Sequence, residues 1–209
     1  MSFRLAQDAK WSESRLWDLI EARAAPDADV AAIDQRIWDL FGEEWAVLFT
    51  DLAGFSRRAA EFGILHFMQV IHESHKLLLP IAVDHDGILI KSEADSYLLI
   101  FRRPARALEC ALAMQAACQR YSKRRTPEEQ VLLCCGIGHG RILRLGDHDA
   151  YGEQVNVASK LGEDTAKAHE ILISGEARDA IGEHPGVSFE PLQDAVSVSQ
   201  RNYRVIYPQ

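Results

Sequence analysis

The sequence predicts an α+β fold: a ferredoxin-like βαββαβ core with C-terminal additions, its antiparallel-rich sheet packed against helices. Three observations carry this expectation. Apolar runs of strand length alternate with longer stretches of helical periodicity in that order along the chain. Two of the strand-like runs, "ILIKS" from residue 88 and "DSYLLIF" from residue 95, stand only a few residues apart, as a hairpin requires. A chain of 209 residues that is 47% hydrophobic and 26% charged is long and apolar enough to bury a full core.

Residues 11 to 42 place Trp11, Leu16, Trp17, Leu19 and Ile20, then Val30, Ile33, Ile37, Leu40 and Phe41, at spacings of three and four. Two helices are expected there, divided by Pro26. A strand at 45–50 precedes a helix from about Arg57 to Asp84, whose apolar stripe includes Ile64, Phe67, Met68, Ile71, Leu78 and Ala82. Pro80 is expected to kink that helix or mark its end. "DHDG" at 84–87 turns the chain into the hairpin, and a helix at 104–121 follows. Beyond the charged loop "SKRRTPEEQ" come a strand "VLLCCGIG", a further strand "RILRL" and a helix at 153–166. The strand "EILIS", a short helix near 175–181 and two C-terminal strands complete the chain, which has no internal repeat or low-complexity tract.

Bulk properties exclude several functions. With 23 basic and 31 acidic residues the net charge is -8, which argues against a sequence-independent grip on nucleic-acid phosphates. No apolar stretch approaches the roughly 18 residues that a membrane span requires. The N-terminus, "MSFRLAQDAKWSESRL", also lacks the apolar segment of a secretion signal. No nucleic acid and no membrane partner is expected, and the location is read as cytoplasmic. Cys110, Cys118, Cys134 and Cys135 lack metal-ligand spacing and read as buried free thiols. "HESH" at 72–75 lacks the spacing of a zinc protease motif and reads as a partly buried helix face. "GIGHG" at 136–140 follows a strand but leads into another strand, so it offers no helix N-terminus to a pyrophosphate. The basic "SKRRT" reads as a solvated loop.

"VLFTDLAGFS", residues 47–56, places Asp51 where a buried strand breaks into a turn of small residues. As a turn former and helix cap, Asp51 has an ordinary structural explanation. Asp95, at the turn of the predicted hairpin, can reach the same strand end and form a second carboxylate of one pocket. Paired aspartates with the Gly54 and Phe55 amides opening a helix offer hard oxygen ligands to two divalent cations and backbone donors to a polyphosphate.

Four stretches, "FTDLAGFS", "KSEADSY", "GIGHGRI" and "DAYGEQVNVASKLGE", follow the order and approximate spacing of the class III nucleotidyl cyclase catalytic domain. The chain resembles that adenylyl/guanylyl cyclase family from about Trp45 to its C-terminus. The resemblance implies a ferredoxin-like α+β domain that cyclises a nucleoside triphosphate to the 3′,5′-monophosphate and releases pyrophosphate. It implies two divalent cations, Mg2+ or Mn2+, and a homodimer whose active sites lie across the interface. Asp51, Asp95 and the Leu52 carbonyl match the metal ligands, and Lys91 and Asp149 match the base readers. Asn156 matches the asparagine that orients the ribose, and Lys160 stands where the family commonly has a transition-state arginine. The chain accordingly divides into an N-terminal helical extension, 1–43, and a catalytic domain, 44–209.

Lys91 can donate to adenine N1 while Asp149 accepts from the N6 amine, whereas guanine demands the opposite polarity. ATP is therefore the expected substrate. Cytosine offers the same polarity as adenine, so a pyrimidine cyclase is an alternative, as is a guanylyl cyclase. Lys160 keeps the arginine's charge without its planar fork, and its spacing suits an ion pair with Asp164 equally. The last hairpin, "VSVSQRNYRV", offers only Arg201 near the position of a family lysine that holds terminal phosphates, and no such role is assigned. These departures leave a degenerate domain, binding nucleotide or a partner without turnover, as the rival outside enzymology.

Overall fold

The structure is a computed structural model that describes residues 2–54, 60–192, 199 and 201–208, with side chains from residue 11 onward. Helices α1 (Ser2–Arg23) and α2 (Val30–Phe41) precede the sheet and pack on one of its strands. The Asp29 carboxylate caps α2 by accepting from the Ala32 amide at 3.1 Å. Arg23 and Asp34 tie the two helices together, and Leu16, Leu19, Ile37 and Phe41 pack on Leu145 and Leu143.

The main chain of elements is β1 (Gly42–Leu52), α3 (Ile64–Asp84), β2 (Ile88–Glu93), β3 (Ser96–Phe101), α4 (Pro104–Ser122) and β4 (Leu133–Leu145). It continues through β5 (Asp149–Tyr151), α5 (Glu153–Ser159), β6 (Ile171–Ser174), α6 (Gly175–Ile181), β7 (Ser188–Pro191) and β8 (Asn202–Ile206). The strands lie in the order β2-β3-β1-β4-β6-β8-β7, with β5 attached to β4. Only the β4–β6 pairing is parallel among the described strands. The expected α+β fold with a mostly antiparallel sheet is therefore present.

Side-chain alternation along β1 divides the interior in two. Ala46, Leu48 and Leu52 join a cluster with Leu78, Leu108 and Met114, beneath α3 and α4. Trp45 and Val47 face the other side with Ile90, Ile100, Ile142 and Ala158, beneath α5. The four cysteines are free and buried, as expected. Burial pushes the Cys110, Cys118 and Cys134 thiols up to about 12, and that of Cys135 well above its ordinary value.

Several boundaries differ from the expectations. "VLLCCGIG" and "RILRL" belong to one strand, because β4 pairs with β1 without interruption from Gly42↔Leu143 to Leu52↔Leu133. Its glycines mark the crossing of α5 instead of a strand end. The helix expected from Arg57 contains α3 from Ile64; residues 57–59 lie outside the described residues, and Gly63, with φ 86°, separates α3 from the helical turn before it. Pro80 lies inside α3, which continues to Asp84. The helix expected at 153–166 is α5 followed by a π-helical turn, Lys160–Thr165, in which Ala166 N–H donates to Leu161 O at 2.8 Å. Among the described residues, no helix is long and apolar enough to cross a membrane.

Candidate active site

The end of β1 and the β2–β3 turn bring Asp51 and Asp95 together. Antiparallel pairing of Thr50 with Tyr97 sets the register, and Ala94, with φ 50°, turns the hairpin tightly. Ser96, the first residue of β3, donates from its hydroxyl to Asp51 Oδ1 at 3.2 Å. Asp95 is 6% exposed, and its Oδ2 is buried without a hydrogen-bond partner. Burial first, then the neighbouring Asp51 charge, pushes the Asp95 carboxyl up to about 6. Asp51 is also raised, chiefly by burial, against the opposing Ser96 hydrogen bond. Glu163, from the π-helical turn, adds a third negative charge that raises both.

This donor set suits a hard divalent cation. Two carboxylates that resist ionising together, one of them buried with an unpartnered oxygen, are stabilised when a cation neutralises them. The Leu52 backbone amide works against the rise of both carboxyls. Gly54 follows in the turn with φ 76°, a conformation that its missing Cβ allows. Phe55, the other residue read as a phosphate contact, lies outside the described residues. Among the described residues, no group of three or more His, Cys, Asp or Glu forms a metal-holding cluster, so Asp51 and Asp95 stand as a pair.

A second pair lies nearby. Lys91 on β2 reaches across to Asp149 on β5, with Nζ 2.9 Å from Oδ2. Asp149 also accepts from the Ala150 amide at 2.8 Å and from the Tyr151 hydroxyl at 2.7 Å. Burial alone would raise the Asp149 carboxyl, but the hydrogen bonds from Lys91, Tyr151 and Ala150 together hold it below its usual range. A cleft of about 200 Å³ is lined by Phe49, Lys91, Glu93, Ser96, Val155 and Glu163 among others, and so runs from Lys91 of this pair to Ser96, the hydrogen-bond partner of Asp51.

Asn156 and Lys160 project from α5 and the turn that follows it, and both are exposed. Lys160 Nζ is engaged by Asp164 Oδ2 at 2.6 Å, the i+4 pair that its spacing allowed. Neither residue contacts the Asp51–Asp95 pair within the chain, whereas α5 itself is fixed. Gln154 Oε1 accepts from the His139 amide and from the Ser174 hydroxyl, each at 3.1 Å, and anchors its first turn. Sequence reasoning missed Ser96, Tyr151, Gln154 and Glu163. Tyr151 had a usable signal, since residues two apart on a strand share a face with Asp149.

The family described as the adenylate and guanylate cyclase catalytic domain matches residues 42–207. The chain belongs to that family. It is 26% identical over 156 residues to the serine/threonine-protein kinase pkn2 of Myxococcus xanthus, covering 75% of this chain and 18% of that protein. It is 28% identical over 116 residues to the putative adenylate cyclase 3 of Rhizobium meliloti (strain 1021), covering 56% of this chain and 20% of that protein. The chain thus spans about a fifth of the curated relatives it matches. A crystal structure of an adenylate/guanylate cyclase/hydrolase from Silicibacter pomeroyi superposes on the chain with a TM-score of 0.65 and 27% identity, covering 78% of this chain and 95% of that one.

Proposed function

We infer that the chain is an adenylyl cyclase, converting ATP to 3′,5′-cyclic AMP and pyrophosphate in a homodimer in the cytoplasm. The observation that carries the reading is the Lys91–Asp149 pair. It presents an ammonium donor beside an ionised acceptor, the polarity of adenine's N1 and N6 edge. Asp51, Asp95 and the Leu52 carbonyl would hold Mg2+ or Mn2+ ions, and the amides of Gly54 and Phe55 are proposed as donors to the phosphates. When bound, such cations acidify the ribose 3′-hydroxyl and neutralise charge on the phosphates.

The protein's own residues then bind and orient. Lys91 and Asp149 fix the base, and the Asn156 amide holds the ribose so that its 3′-oxygen faces the α-phosphate in line with the leaving pyrophosphate. Lys160 supplies positive charge to the transferring phosphoryl group once it leaves Asp164. We assign residues 1–43 to a helical extension and residues 44–209 to the catalytic unit. In the dimer, the carboxylate pair of one protomer would face the base and ribose contacts of its partner, making two sites.

The Lys160–Asp164 pair favours a second reading, a domain that binds nucleotide without turnover. Incubation with each of the four ribonucleoside triphosphates and Mg2+ or Mn2+, with product identified by mass, separates the two. Cyclic AMP and pyrophosphate are expected. Nucleotide binding with no cyclic product from any triphosphate establishes the second reading instead, and a preference for CTP or GTP reassigns the substrate.

A further inference from the structure

The Lys91–Asp149 pair is held by a third side chain. An ionised carboxylate has room for about four donors, two at each oxygen. Asp149 Oδ2 is ion-paired with Lys91 Nζ at 2.9 Å and accepts from the Tyr151 hydroxyl at 2.7 Å, and the two groups together occupy it. Oδ1 accepts from the Ala150 amide at 2.8 Å. Counting partners among the described residues, one acceptor position is left, on Oδ1. The strand produces this arrangement: Asp149 and Tyr151 share one face of β5, while Ala150 between them is buried on the other, 4% exposed.

Resting on the reading of Lys91 and Asp149 as base contacts, the geometry points to Tyr151 as a specificity-determining positioning residue, whose hydroxyl occupies Asp149 Oδ2 and restricts the carboxylate to one base donor. Adenine needs no more. Its edge offers the N6 amine, which Oδ1 can take, beside the N1 acceptor, which Lys91 can serve. Guanine offers N1–H and the N2 amine side by side, and a carboxylate meets two adjacent donors with both oxygens. With Oδ2 filled, one guanine donor would be desolvated and left unpaired, so rejection follows from occupancy without any steric clash. Cytosine, with one amine beside one acceptor, passes the same filter. Tyr151 therefore discriminates GTP from ATP and CTP, and not ATP from CTP. The hydrogen bonds that Asp149 receives also keep it ionised, and so an acceptor only, near neutral pH.

The test is Tyr151→Phe in the full chain. The ring is 42% exposed, so removing its hydroxyl opens no core cavity. Binding of 3′-deoxy-ATP and 3′-deoxy-GTP, which cannot cyclise, is measured alongside kcat/KM for ATP and GTP. The expected result is a fall of about tenfold in the preference for adenine over guanine, as a hydrogen bond to a charged group is worth at least that factor. The change should come chiefly from tighter GTP binding, with ATP altered by no more than about threefold. Tyr151→Leu, which removes the ring as well, should shift the preference to the same extent. An unchanged preference in a wild type that does favour adenine overturns the role of Tyr151 alone. If the wild type binds neither deoxynucleotide, or favours guanine, the reading of Lys91 and Asp149 falls and this inference falls with it.

Discussion

A methyl group on Gly136 would stand 2.0 Å from the carbonyl oxygen of Ala158 and 2.4 Å from the nitrogen of Gly162. One residue pair further along, a methyl on Gly138 would stand 2.4 Å from the Gln154 carbonyl oxygen. The backbone of α5 and its π-helical turn thus rests directly on β4. These two glycines set the height at which Asn156 and Lys160 are held above the sheet.

Gly136→Ala is expected to destabilise the protein and lift α5. Overpacking of this kind costs about 1–3 kcal/mol, and each kcal/mol lowers Tm by about 2–4 °C in a domain of this size. Turnover should fall more than Tm explains, because the ribose and phosphate contacts move together. Thermal unfolding and initial rates, measured below the transition of the variant, check both parts.

Asp95→Asn should abolish turnover and yet stabilise the metal-free protein at neutral pH. The Asp95 carboxyl titrates at about 6 in the fold against 3.8 for an unperturbed group. Its favourable contribution is complete below the unfolded value and is lost as pH rises through 6. The variant should therefore exceed wild type in Tm above pH 6, and the gap should close towards pH 4. Added Mn2+ should raise the Tm of wild type at pH 7.5 and leave that of Asp95→Asn nearly unchanged. A Tm series over pH, with and without Mn2+, checks the sign and the linkage.

Lys160→Ala should lower kcat with a smaller effect on KM, while Lys160→Arg should keep or raise it through its planar fork. Asp164→Asn removes the partner that holds the ammonium, 2.6 Å away. Because that pair is exposed, its loss should leave Tm unchanged, and freeing Lys160 should keep or raise kcat. Normal turnover by Lys160→Ala would show the pair to be surface decoration.

Asp51→Asn and Asn156→Ala should each be inactive as homodimers. In a mixed dimer with a shared site, both substitutions gather in one site and leave the other intact. Random exchange at equal amounts makes about half the dimers mixed, so activity should return to about a quarter of wild type. Co-purification of differently tagged chains verifies exchange. Verified exchange without recovery would place each site within one protomer.

The sheet and the carboxylate pair were legible because they rest on local signals. The apolar run that ends at Asp51 and the short gap between "ILIKS" and "DSYLLIF" pointed to the first strand, a hairpin and the strand end at which Asp51 meets Asp95. The Lys91–Asp149 contact was not legible from spacing, since it joins strands far apart in the chain; only the motif resemblance suggested the two residues act together. "GIGHG" misled because glycine usually interrupts a strand, whereas Gly136 and Gly138 here admit a helix backbone. The π-helical turn went unseen because six residues cannot separate a π period from an α period. β5, three residues long, is fixed by its pairing with β4 more than by any pattern of its own.

The buried thiols give the protein a chemically silent background. Thiolate is the species that alkylates, and Cys110, Cys118 and Cys134 ionise only near 12, inside a core that reagents do not enter, with Cys135 deeper still. A single cysteine placed at an exposed position, such as Leu65 at 79% exposure, should therefore take a maleimide probe selectively without removal of the native four. If two chains associate as proposed, pairs of such probes, one on each chain, would report their separation and tilt in solution as nucleotide and metal ions are added.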